Sequence, residues 1–298
     1  MQYPLEEKIG SPDLLVGREQ EFKVFDKWIN NMPKKLSKSW AILGRRKSGK
    51  TAFVQRLFNK LWSANGQVIP FYISIPDAPI WFANLAVKYY EVFASQYISF
   101  IEREPGLVER SFTLEQIKEY AESNAGCKGS NILSEDTNYI LRYKESKDYD
   151  LVWQCAYTAP HRMAALHDQR ILVMIDEFQY LSSHVYRRED LSGEPIEGIP
   201  GSFHQVSESK VAPMLATGSY VGWMVDIMGK YLEAGRLSHI EFSPYLAEHE
   251  GLQAVYKYAE NCNEPITNET VAQINELCMA DPFFISCVIQ SSLLEKDL

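Results

Sequence analysis

Short apolar runs bounded by polar residues recur along most of the chain, and helical patterns separate them. Five such runs are typical of buried strands, and they occupy residues 39–44, 67–75, 171–176, 212–219 and 237–242. None alternates cleanly between apolar and polar positions, which is typical of strands covered on both faces. Helical periodicity predicts helices over 18–30, before the first strand, and over 51–62, after it. Strands that alternate with helices indicate an α/β fold with a mostly parallel five-stranded sheet in a three-layer sandwich.

From about residue 244 the pattern becomes wholly helical. Apolar residues recur there at helical spacing, at Leu252, Val255, Tyr256, Ala259, Ile274 and Leu277 and through 283–289. We therefore expect two domains, a core over 1–243 and a smaller helical domain over 244–298.

Three segments of the core depart from the simple alternation of strands and helices. Residues 80–101 are apolar and aromatic nearly all round, which favours a helix buried against the sheet over one that docks a partner. Residues 123–137 are rich in turn formers and predict a surface excursion between helices. Residues 189–202 predict a Gly/Pro loop after the third strand.

The sequence GRRKSGKT at residues 44–51 has the spacing of a phosphate-binding loop and lies after a strand and before a helix. Its two glycines allow successive backbone N–H groups to turn toward phosphate oxygens. The helix that begins near Lys50 adds its positive end, Lys50 would reach the β- and γ-phosphates, and Thr51 would ligate Mg²⁺. We expect the nucleotide to contact Gly44, Lys47, Ser48, Gly49, Lys50, Thr51 and Ala52.

Three consecutive basic side chains, of Arg45, Arg46 and Lys47, occupy the middle of this loop. Side chains at these positions normally point away from the phosphates. We therefore interpret them as a solvated basic rim, with direct contact to phosphate as the alternative. A plain glycine turn is the alternative for the loop as a whole.

The third predicted strand ends in two adjacent carboxylates, Asp176 and Glu177. In open α/β sheets ligands bind beyond the carboxyl ends of the strands, so both should lie near Lys50. Asp176 would hold Mg²⁺ through its water shell, and Glu177 would orient and polarise the attacking water. Gln179 is a further candidate, and capping of a following helix is the alternative for the carboxylates. No Asn-Lys-x-Asp stretch stands where it could recognise guanine, so adenine is the expected base.

Charge and cysteine usage narrow the class of protein. The 298 residues carry 30 Lys and Arg against 39 Asp and Glu, and the net charge of −9 argues against unspecific DNA binding. Five scattered cysteines without CxxC spacing favour a reducing compartment and provide no zinc site. No signal peptide begins the chain, and no apolar run approaches the roughly 20 residues that span a bilayer. We expect a cytoplasmic protein that does not enter a membrane.

Four further short motifs accompany the loop and the acidic strand end, and they are VGRE at 16–19, TGS at 217–219, GR at 235–236 and DPFFI at 281–285. With them, the sequence resembles the archaeal-type ATPase family, part of the STAND group of AAA-like P-loop ATPases, over about residues 14–284. The resemblance implies a P-loop NTPase core followed by a helical lid, and a switch that hydrolyses ATP with Mg²⁺. Asp281 departs from the glycine that usually precedes the proline of the lid motif. The segment before the acidic strand end is long for the family, with the excess around 104–150. Family members often continue into a winged-helix domain and an effector domain, so these 298 residues are either a reduced version or part of a longer protein.

The resemblance also implies roles for residues that spacing alone does not single out. Gly17 and Arg18 belong to the family's entry element, whose backbone lies against adenine. Thr217 and Ser219 resemble a sensor that reads the γ-phosphate. Arg236 resembles an arginine that contacts this phosphate in cis or from a neighbouring subunit. Ordinary cap, turn or surface roles are the alternatives.

The sequence leaves two functions open. The first is an ATPase in which Lys50, Glu177 and Arg236 are catalytic, with turnover coupled to lid movement or to association. The second is a nucleotide-gated binding or regulatory module with little intrinsic hydrolysis. A small-molecule kinase would need an acceptor pocket, for which the sequence has no signature. ATP and ADP are the expected ligands, a second copy or another protein the expected partner, and DNA binding by this segment is not expected.

Overall fold

The computed structural model describes residues 1–233 and 235–291. The strands are β1 (Ser39–Leu43), β2 (Val68–Ser74), β3 (Ile80–Trp81), β4 (Arg170–Asp176), β5 (Val185–Tyr186), β6 (Met214–Gly218) and β7 (Leu237–Glu241). The helices are α1 (Glu19–Asn30), α2 (Lys50–Ala64), α3 (Phe82–Glu102), α4 (Gly106–Glu109), α5 (Leu114–Ser123), α6 (Ser130–Glu145), α7 (Tyr149–Leu166), α8 (Phe203–Val206), α9 (Val221–Tyr231), α10 (Glu248–Cys262), α11 (Asn268–Leu277) and α12 (Pro282–Ile289). Within the described ranges, none of these helices is both long and apolar enough to cross a membrane.

Five strands form one parallel sheet in the order β2-β4-β6-β1-β7, and the short strands β3 and β5 pair separately. This confirms the predicted α/β fold with a five-stranded sheet. Strand β6 lies between β1 and β4, with Ala216 opposite both Ala41 and Ile175. Because parallel strands end at the same edge of a sheet, the segments that follow β1, β4 and β6 converge there.

Four of the five strands are covered on both faces, and β7 is not. Strands β1, β2, β4 and β6 are buried along nearly their whole length. In β7 only Leu237 is buried, and three of its five residues are exposed. The expectation of full burial is therefore wrong for β7, because this strand lies at the edge of the sheet.

Helices cover both faces of the sheet, as a three-layer sandwich requires. On one face, Phe25 of α1 packs against Trp40 of β1 and Phe53 of α2, with ring centroids 5.4 and 5.2 Å away. On the other face, Phe71 of β2 packs against Tyr89 of α3 at 5.2 Å. Most of α3 is buried in the main hydrophobic core, which confirms a buried helix over the partner-docking alternative.

Residues 104–150 form helices that pack against the core. Helices α5 and α6 bury apolar side chains there, among them Leu114 and Ile140. Because α6 begins at Ser130, the turn-rich excursion predicted over 123–137 is wrong for its second half. Serine and asparagine favour turns only weakly, and burial of one apolar helix face outweighs that preference.

Helices α10 to α12 surround a second hydrophobic cluster, distinct from the main core. Its most buried members are Ala254, Val255, Ala259, Val271 and Ile285. Tyr256 and Leu277 lie in helices, as the helical pattern predicts, but outside this cluster, because their side chains are 44% and 83% exposed. Tyr256 instead donates a hydrogen bond of 2.5 Å to Asn268 Oδ1 at the start of α11, and Leu277 is the last residue of that helix.

Candidate functional site

A cavity of about 740 Å³ opens at the carboxyl edge of the sheet. Its walls come from the N-terminal segment, from the loop between β1 and α2, and from helices α10 and α12. Glu177 and Ser219, which follow β4 and β6, complete the lining. The volume lies within the range of about 300–1,000 Å³ that is typical of small-molecule sites. This cavity is the candidate site, and residues 46–52 of the predicted phosphate loop line it.

The loop between β1 and α2 curls its backbone at the wall of the cavity. Lys47 and Gly49 adopt left-handed conformations, with φ of 63° and 90°. Left-handed residues next to right-handed ones point successive N–H groups into one concavity, which binds anions. This conformation costs about 1–2 kcal/mol at a residue with a Cβ and little at glycine. Helix α2 begins at Lys50, so its first turn, with free N–H groups and a positive end, lines the same cavity.

Lys50 is a buried cation that crosses this loop. Its Nζ donates hydrogen bonds to the carbonyl oxygens of Gly44 at 2.7 Å and Arg45 at 2.8 Å. Burial lowers the pKa of Lys50 to about 8, because desolvation disfavours the ammonium, and the carboxylates of Glu177 and Asp176 oppose this only in part. An anion bound in the loop would supply the negative charge that the ammonium lacks.

Asp176 lies at the end of β4, and three hydroxyl groups hold its fully buried carboxylate. Thr51 Oγ1 donates to Asp176 Oδ2 at 2.9 Å, and the Tyr72 hydroxyl donates to the same oxygen at 3.1 Å. Thr217 Oγ1, at the end of β6, donates to Oδ1. Burial and the neighbouring carboxylate raise the pKa of Tyr72 well above its usual value, so its hydroxyl stays a donor.

The pair formed by Thr51 and Asp176 suits Mg²⁺, which prefers hard oxygen ligands. No group of three or more His, Cys, Asp or Glu side chains within residues 1–233 and 235–291 could hold a metal. Mg²⁺ in phosphate sites is held by one or two carboxylates, waters and substrate phosphates, without an all-protein cage. The donor set therefore fits a magnesium ion that enters with a nucleotide.

Glu177 follows directly on the sheet edge and lines the cavity. It adopts a left-handed conformation with φ of 57°, and its N–H donates to Thr217 Oγ1 at 3.1 Å. Ser219 Oγ donates to Glu177 Oε1, and Gln179 Nε2 donates to Oε2, each at 2.6 Å. Both carboxylate oxygens of Glu177 therefore have a side-chain donor from the same edge of the sheet.

Comparison with solved structures identifies the fold. Neither protein-family models nor curated protein sequences match the chain. The Walker-type ATPase PABY2304 of Pyrococcus abyssi is similar in structure, with a TM-score of 0.56 and 14% sequence identity. The match covers 97% of this chain and 70% of that one. The fold is that of a P-loop ATPase.

Two further solved structures are similar at lower scores. AMPPCP-bound DnaA from Aquifex aeolicus has a TM-score of 0.42 and 13% identity, over 95% of this chain and 65% of its own. The ORC2 protein of Aeropyrum pernix, in its ADPNP–ADP complexes, has a TM-score of 0.40 and 15% identity, over 87% and 56%. Both scores lie below 0.5, so the assignment of a P-loop ATPase fold rests on the Pyrococcus structure.

In this P-loop ATPase fold, each of the three basic side chains of the loop has a partner in another segment. Arg45 forms an ion pair with Asp281, which is fully buried at the start of α12. Lys47 Nζ lies 4.3 Å from the ring centroid of Phe283 in the same helix. Arg46 pairs with Asp77, at 2.5 Å. Arg46 and Lys47 are nevertheless exposed, in agreement with a solvated rim, and Arg45 is partly exposed. Their partners come from distant segments, which sequence spacing cannot show.

Gly17 and Arg18 join the P-loop ATPase core to α10 and do not line the cavity. The backbone N–H of Glu19 donates to Glu250 Oε1 at 3.2 Å, and a Cβ on Gly17 would lie 2.8 Å from the Glu250 carboxyl carbon. The buried guanidinium of Arg18 donates to the Ser48 carbonyl oxygen at 3.1 Å. The structure therefore gives both residues a packing role, and the expected contact of their backbone with adenine stays a prediction.

Arg236 lies at the amino-terminal ends of the strands, whereas the phosphate loop follows the carboxyl end of β1. It precedes β7, whose first residue, Leu237, pairs with Ser39 at the start of β1. The guanidinium forms an ion pair with Glu208 at 3.3 Å and donates to the Glu233 carbonyl oxygen at 2.8 Å. A strand of this length separates the two ends by about 13 Å. Contact with the γ-phosphate in cis is therefore wrong, and contact in a neighbouring subunit stays a prediction.

The N-terminal segment forms a wall of the cavity that the sequence did not predict. The Lys8 N–H donates to Gln55 Oε1 at 2.8 Å, and the Glu7 carboxylate pairs with Arg56 at 2.7 Å, so the segment lies along α2. Lys8 and Ile9 then line the cavity. Ion pairs between segments so far apart leave no periodic signal in the sequence.

Helices α10 and α12 supply the facing wall. Tyr258, Asn261 and Cys262 of α10 and Phe283 and Ser286 of α12 line the cavity. Of these residues, the sequence predicted only Phe283, within the lid motif. Tyr258 is a buried position of an amphipathic helix, which predicts packing and not a cavity wall. Asn261, Cys262 and Ser286 are exposed or half-buried, and nothing in the helical pattern distinguishes them from solvated positions.

Proposed function

We propose that this chain is a Mg²⁺-dependent, ATP-hydrolysing switch of the archaeal-type ATPase family, within the STAND group of AAA-like P-loop ATPases. One observation carries the proposal. Lys50, Thr51 and Glu177 line one cavity of nucleotide size, and Thr51 donates a hydrogen bond to Asp176, which lies behind it. The P-loop ATPase fold supports it.

The division of labour among these groups follows from their charge and position. The backbone N–H groups of the loop and the start of α2 bind phosphate oxygens, and Lys50 pairs with the β- and γ-phosphates. Thr51 would ligate Mg²⁺ through its hydroxyl, and Asp176 would hold the water shell of the ion. When bound, Mg²⁺ neutralises the charge that develops on the phosphate oxygens.

Glu177 is the candidate general base of the reaction. As a carboxylate beside the terminal phosphate, it can accept a proton from the attacking water and orient that water. Ser219 and Gln179 already fix the position of its two oxygens. Thr217 fixes its backbone and shares Asp176 with Thr51. Thr217 and Ser219 thus serve as a sensor that links the terminal phosphate to both carboxylates.

The base of the nucleotide is assigned to the half of the cavity between the N-terminal segment and α10. Ile9, Leu14 and Tyr258 give this half an apolar lining, and the side chain of Asn261 offers both a donor and an acceptor. We propose adenine as the base. Gly17 and Arg18 affect this part of the cavity indirectly, because they hold α10 against the core.

We propose that residues 1–243 form the ATPase core and 244–298 the lid. Lid residues lie on the cavity wall, and Asp281 pairs with Arg45 of the loop, so a change in the loop reaches α12 directly. Turnover is coupled to this movement or to association with another copy. Arg236 acts only in a neighbouring subunit. Arg236→Ala should therefore bind ATP as the wild type does, but its turnover should fall below that of the wild type at the higher protein concentrations, where the copies associate. Unchanged turnover at every concentration would leave Arg236 with its ion pair alone.

A nucleotide-gated binding module with little intrinsic hydrolysis is the second candidate. It is favoured by the two donors that hold both oxygens of Glu177, since a carboxylate so engaged orients water less freely. In this candidate the lid reports whether ATP or ADP is bound, and a partner releases Glu177.

Equilibrium binding of ATP to the wild type and to Lys50→Ala tests the site common to both candidates. We expect Lys50→Ala to weaken ATP binding at least about tenfold, because it removes a buried charge from the phosphate contacts. Lys60→Ala is the matched control. Lys60 is a lysine of the same helix that pairs with Asp26 at 3.0 Å, outside the cavity. Equal ATP affinity of all three proteins would remove the phosphate loop from the account.

A further inference from the structure

Arg46 is the one arginine of the described residues that lines the cavity. Its side chain reaches across the sheet edge to segments that follow three other strands. It pairs with Asp77, after β2, at 2.5 Å. Its Nη2 donates to the Tyr180 hydroxyl, after β4, at 3.4 Å, and its Nη1 donates to the Tyr220 hydroxyl, after β6, at 3.3 Å.

These partners place the guanidinium at the end of the cavity where Glu177 and Ser219 lie. Tyr180 and Tyr220 follow Glu177 and Ser219 closely in sequence, on the same two strand ends. In the proposed function, Glu177 orients the water that attacks the γ-phosphorus. The terminal phosphate therefore lies at this end, within the field of Arg46.

The contacts of Arg46 can be exchanged for others. The Arg46 and Asp77 side chains are 54% and 49% exposed, and exposed ion pairs contribute little to stability. Asp77 keeps other partners when Arg46 leaves, since His184 Nε2 lies 3.4 Å from its other oxygen. The pKa of Asp77 lies below its usual range, chiefly because Tyr180 donates a hydrogen bond to its carboxylate and, second, because the Arg46 guanidinium does so. Asp77 is thus an anion that competes with phosphate for one arginine.

The other arginines near the site are engaged elsewhere. Arg45 pairs with the buried Asp281, and Arg18 is buried against backbone carbonyl oxygens. Arg236 is at the far edge of the sheet. Arg46 is therefore the arginine best placed to supply the charge that stabilises phosphoryl transfer.

We propose that Arg46 is a catalytic residue that acts in cis, pairing with the γ-phosphate of ATP and returning to Asp77 when only ADP is bound. This rests on the proposed function of the same site. In the reaction, a water oxygen bonds to the γ-phosphorus, the bond from that phosphorus to the bridging oxygen breaks, and ADP leaves. One water proton passes to Glu177. Arg46 keeps its proton and stabilises the charge on the γ-oxygens, an effect worth about 10³- to 10⁵-fold for arginines that act in this way.

The test compares dissociation constants for ATP and for ADP, together with phosphate release, in a set of variants. We expect Arg46→Ala to weaken ATP binding about tenfold, leave ADP binding within about twofold, and lower turnover at least about 100-fold. Arg46→Lys should recover part of the ATP affinity but little turnover, because a lysine lacks the planar fork of donors. Asp77→Asn should raise the preference for ATP over ADP, because it removes the competing anion.

Arg187→Ala is the matched control. Arg187 is equally exposed at 54% and also pairs with an aspartate, Asp150, but does not line the cavity. We expect it to match the wild type in every assay. Arg46 is half exposed, so its variants should unfold at the wild-type temperature, and that measurement excludes misfolding as the cause of a loss.

The outcomes separate this inference from the proposed function. If Arg46→Ala keeps the wild-type ratio of ATP to ADP affinity, or loses both affinities equally, the assignment of Arg46 to the γ-phosphate is overturned. If Lys50→Ala binds ATP as well as the wild type does, the proposed function itself fails. Should the wild type bind ATP without turnover, the ratio of the two affinities still decides the role of Arg46.

Discussion

The Tyr72 hydroxyl donates a hydrogen bond of 3.1 Å to Asp176 Oδ2. Tyr72 lies on β2, which β4 and β6 separate from β1, the strand before the phosphate loop. Thr51 donates to the same carboxylate oxygen at 2.9 Å. A tyrosine in the middle of an apolar strand thus positions the carboxylate that is proposed to hold the water shell of Mg²⁺. No motif in the sequence identifies Tyr72 as part of the site.

Tyr72→Phe should raise the Mg²⁺ concentration needed for half-maximal ATP binding or turnover by about 3- to 10-fold. Loss of one hydrogen bond to a charged group corresponds to about 1 kcal/mol or somewhat more. ATP binding without Mg²⁺ should change little. The matched control is Tyr89→Phe, since the buried Tyr89 hydroxyl has no hydrogen-bond partner among the described residues. A Mg²⁺ dependence identical in both variants would contradict the role assigned to Tyr72.

Arg18→Ala should lower the free energy of unfolding by about 2–4 kcal/mol, because it leaves buried acceptors without a donor. The guanidinium donates to Ser48, Pro244 and Tyr245 carbonyl oxygens, and it lies 4.4 Å from the Phe242 ring centroid. Urea denaturation followed by circular dichroism measures the change.

Lys23→Ala is the control for Arg18, since Lys23 is exposed on the same segment and pairs only loosely with Glu19 at 3.8 Å. This control should stay within about 0.5 kcal/mol of the wild type. If Arg18→Ala were as stable as the control but had lost ATP affinity, a direct contact with adenine would replace the packing role.

The affinity for ATP should fall as the pH rises above about 8, the pKa of the Lys50 ammonium in the free protein. Phosphate binding favours the protonated lysine, so the bound state has the higher pKa and binding takes up a proton above pH 8. The affinity then decreases by up to about tenfold per pH unit until the pKa of the bound state is reached.

Isothermal titration calorimetry from about pH 7 to about pH 9.5 measures this dependence, and buffers of different ionisation enthalpy report the proton uptake. Lys50→Arg is the control, because an arginine stays charged over this range and removes the titration. An affinity that stays constant across this range in the wild type would show that the ammonium of Lys50 does not pair with phosphate.

Bound ATP should slow the alkylation of Cys262, which lines the half of the cavity assigned to the base. Cys127 and Cys287 are exposed outside the cavity lining and serve as internal controls within the same protein. At saturating ATP we expect at least about fivefold slower modification of Cys262 and unchanged modification of the other two. Mass spectrometry of peptides resolves the three sites. This placement of the base would be contradicted if ATP protected none of the three cysteines, or protected all three equally.

The sheet and the positions of its strands could be predicted because buried parallel strands consist of continuous apolar runs, which are visible in the sequence. The phosphate loop at 44–51 and the strand end at Asp176 could be located for a related reason. Each is a local pattern whose residues are neighbours in the chain. The structure places both at the same edge of the sheet, as expected of parallel strands.

The rest depends on contacts between residues far apart in the chain. Arg46 and Asp77, for example, are separated by 31 positions, and Arg45 and Asp281 by 236. The far-edge position of Arg236 followed only from the register of β7 against β1. Spacing within a motif contains no information about such pairings, so the partners of the basic side chains were not predicted and the cis contact was mistaken.

One experiment decides whether the protein hydrolyses ATP with Glu177 as the general base. It measures phosphate release from Mg²⁺-ATP by the wild type and by Glu177→Gln over a range of protein concentration, with ATP binding measured in the same samples. The amide keeps the size of Glu177 but cannot accept the proton of water. We predict ATP affinities within about threefold of each other and turnover at least about 100-fold lower in the variant. Equal turnover in the two proteins, or ATP binding with no phosphate release by the wild type at any concentration, would contradict the ATPase.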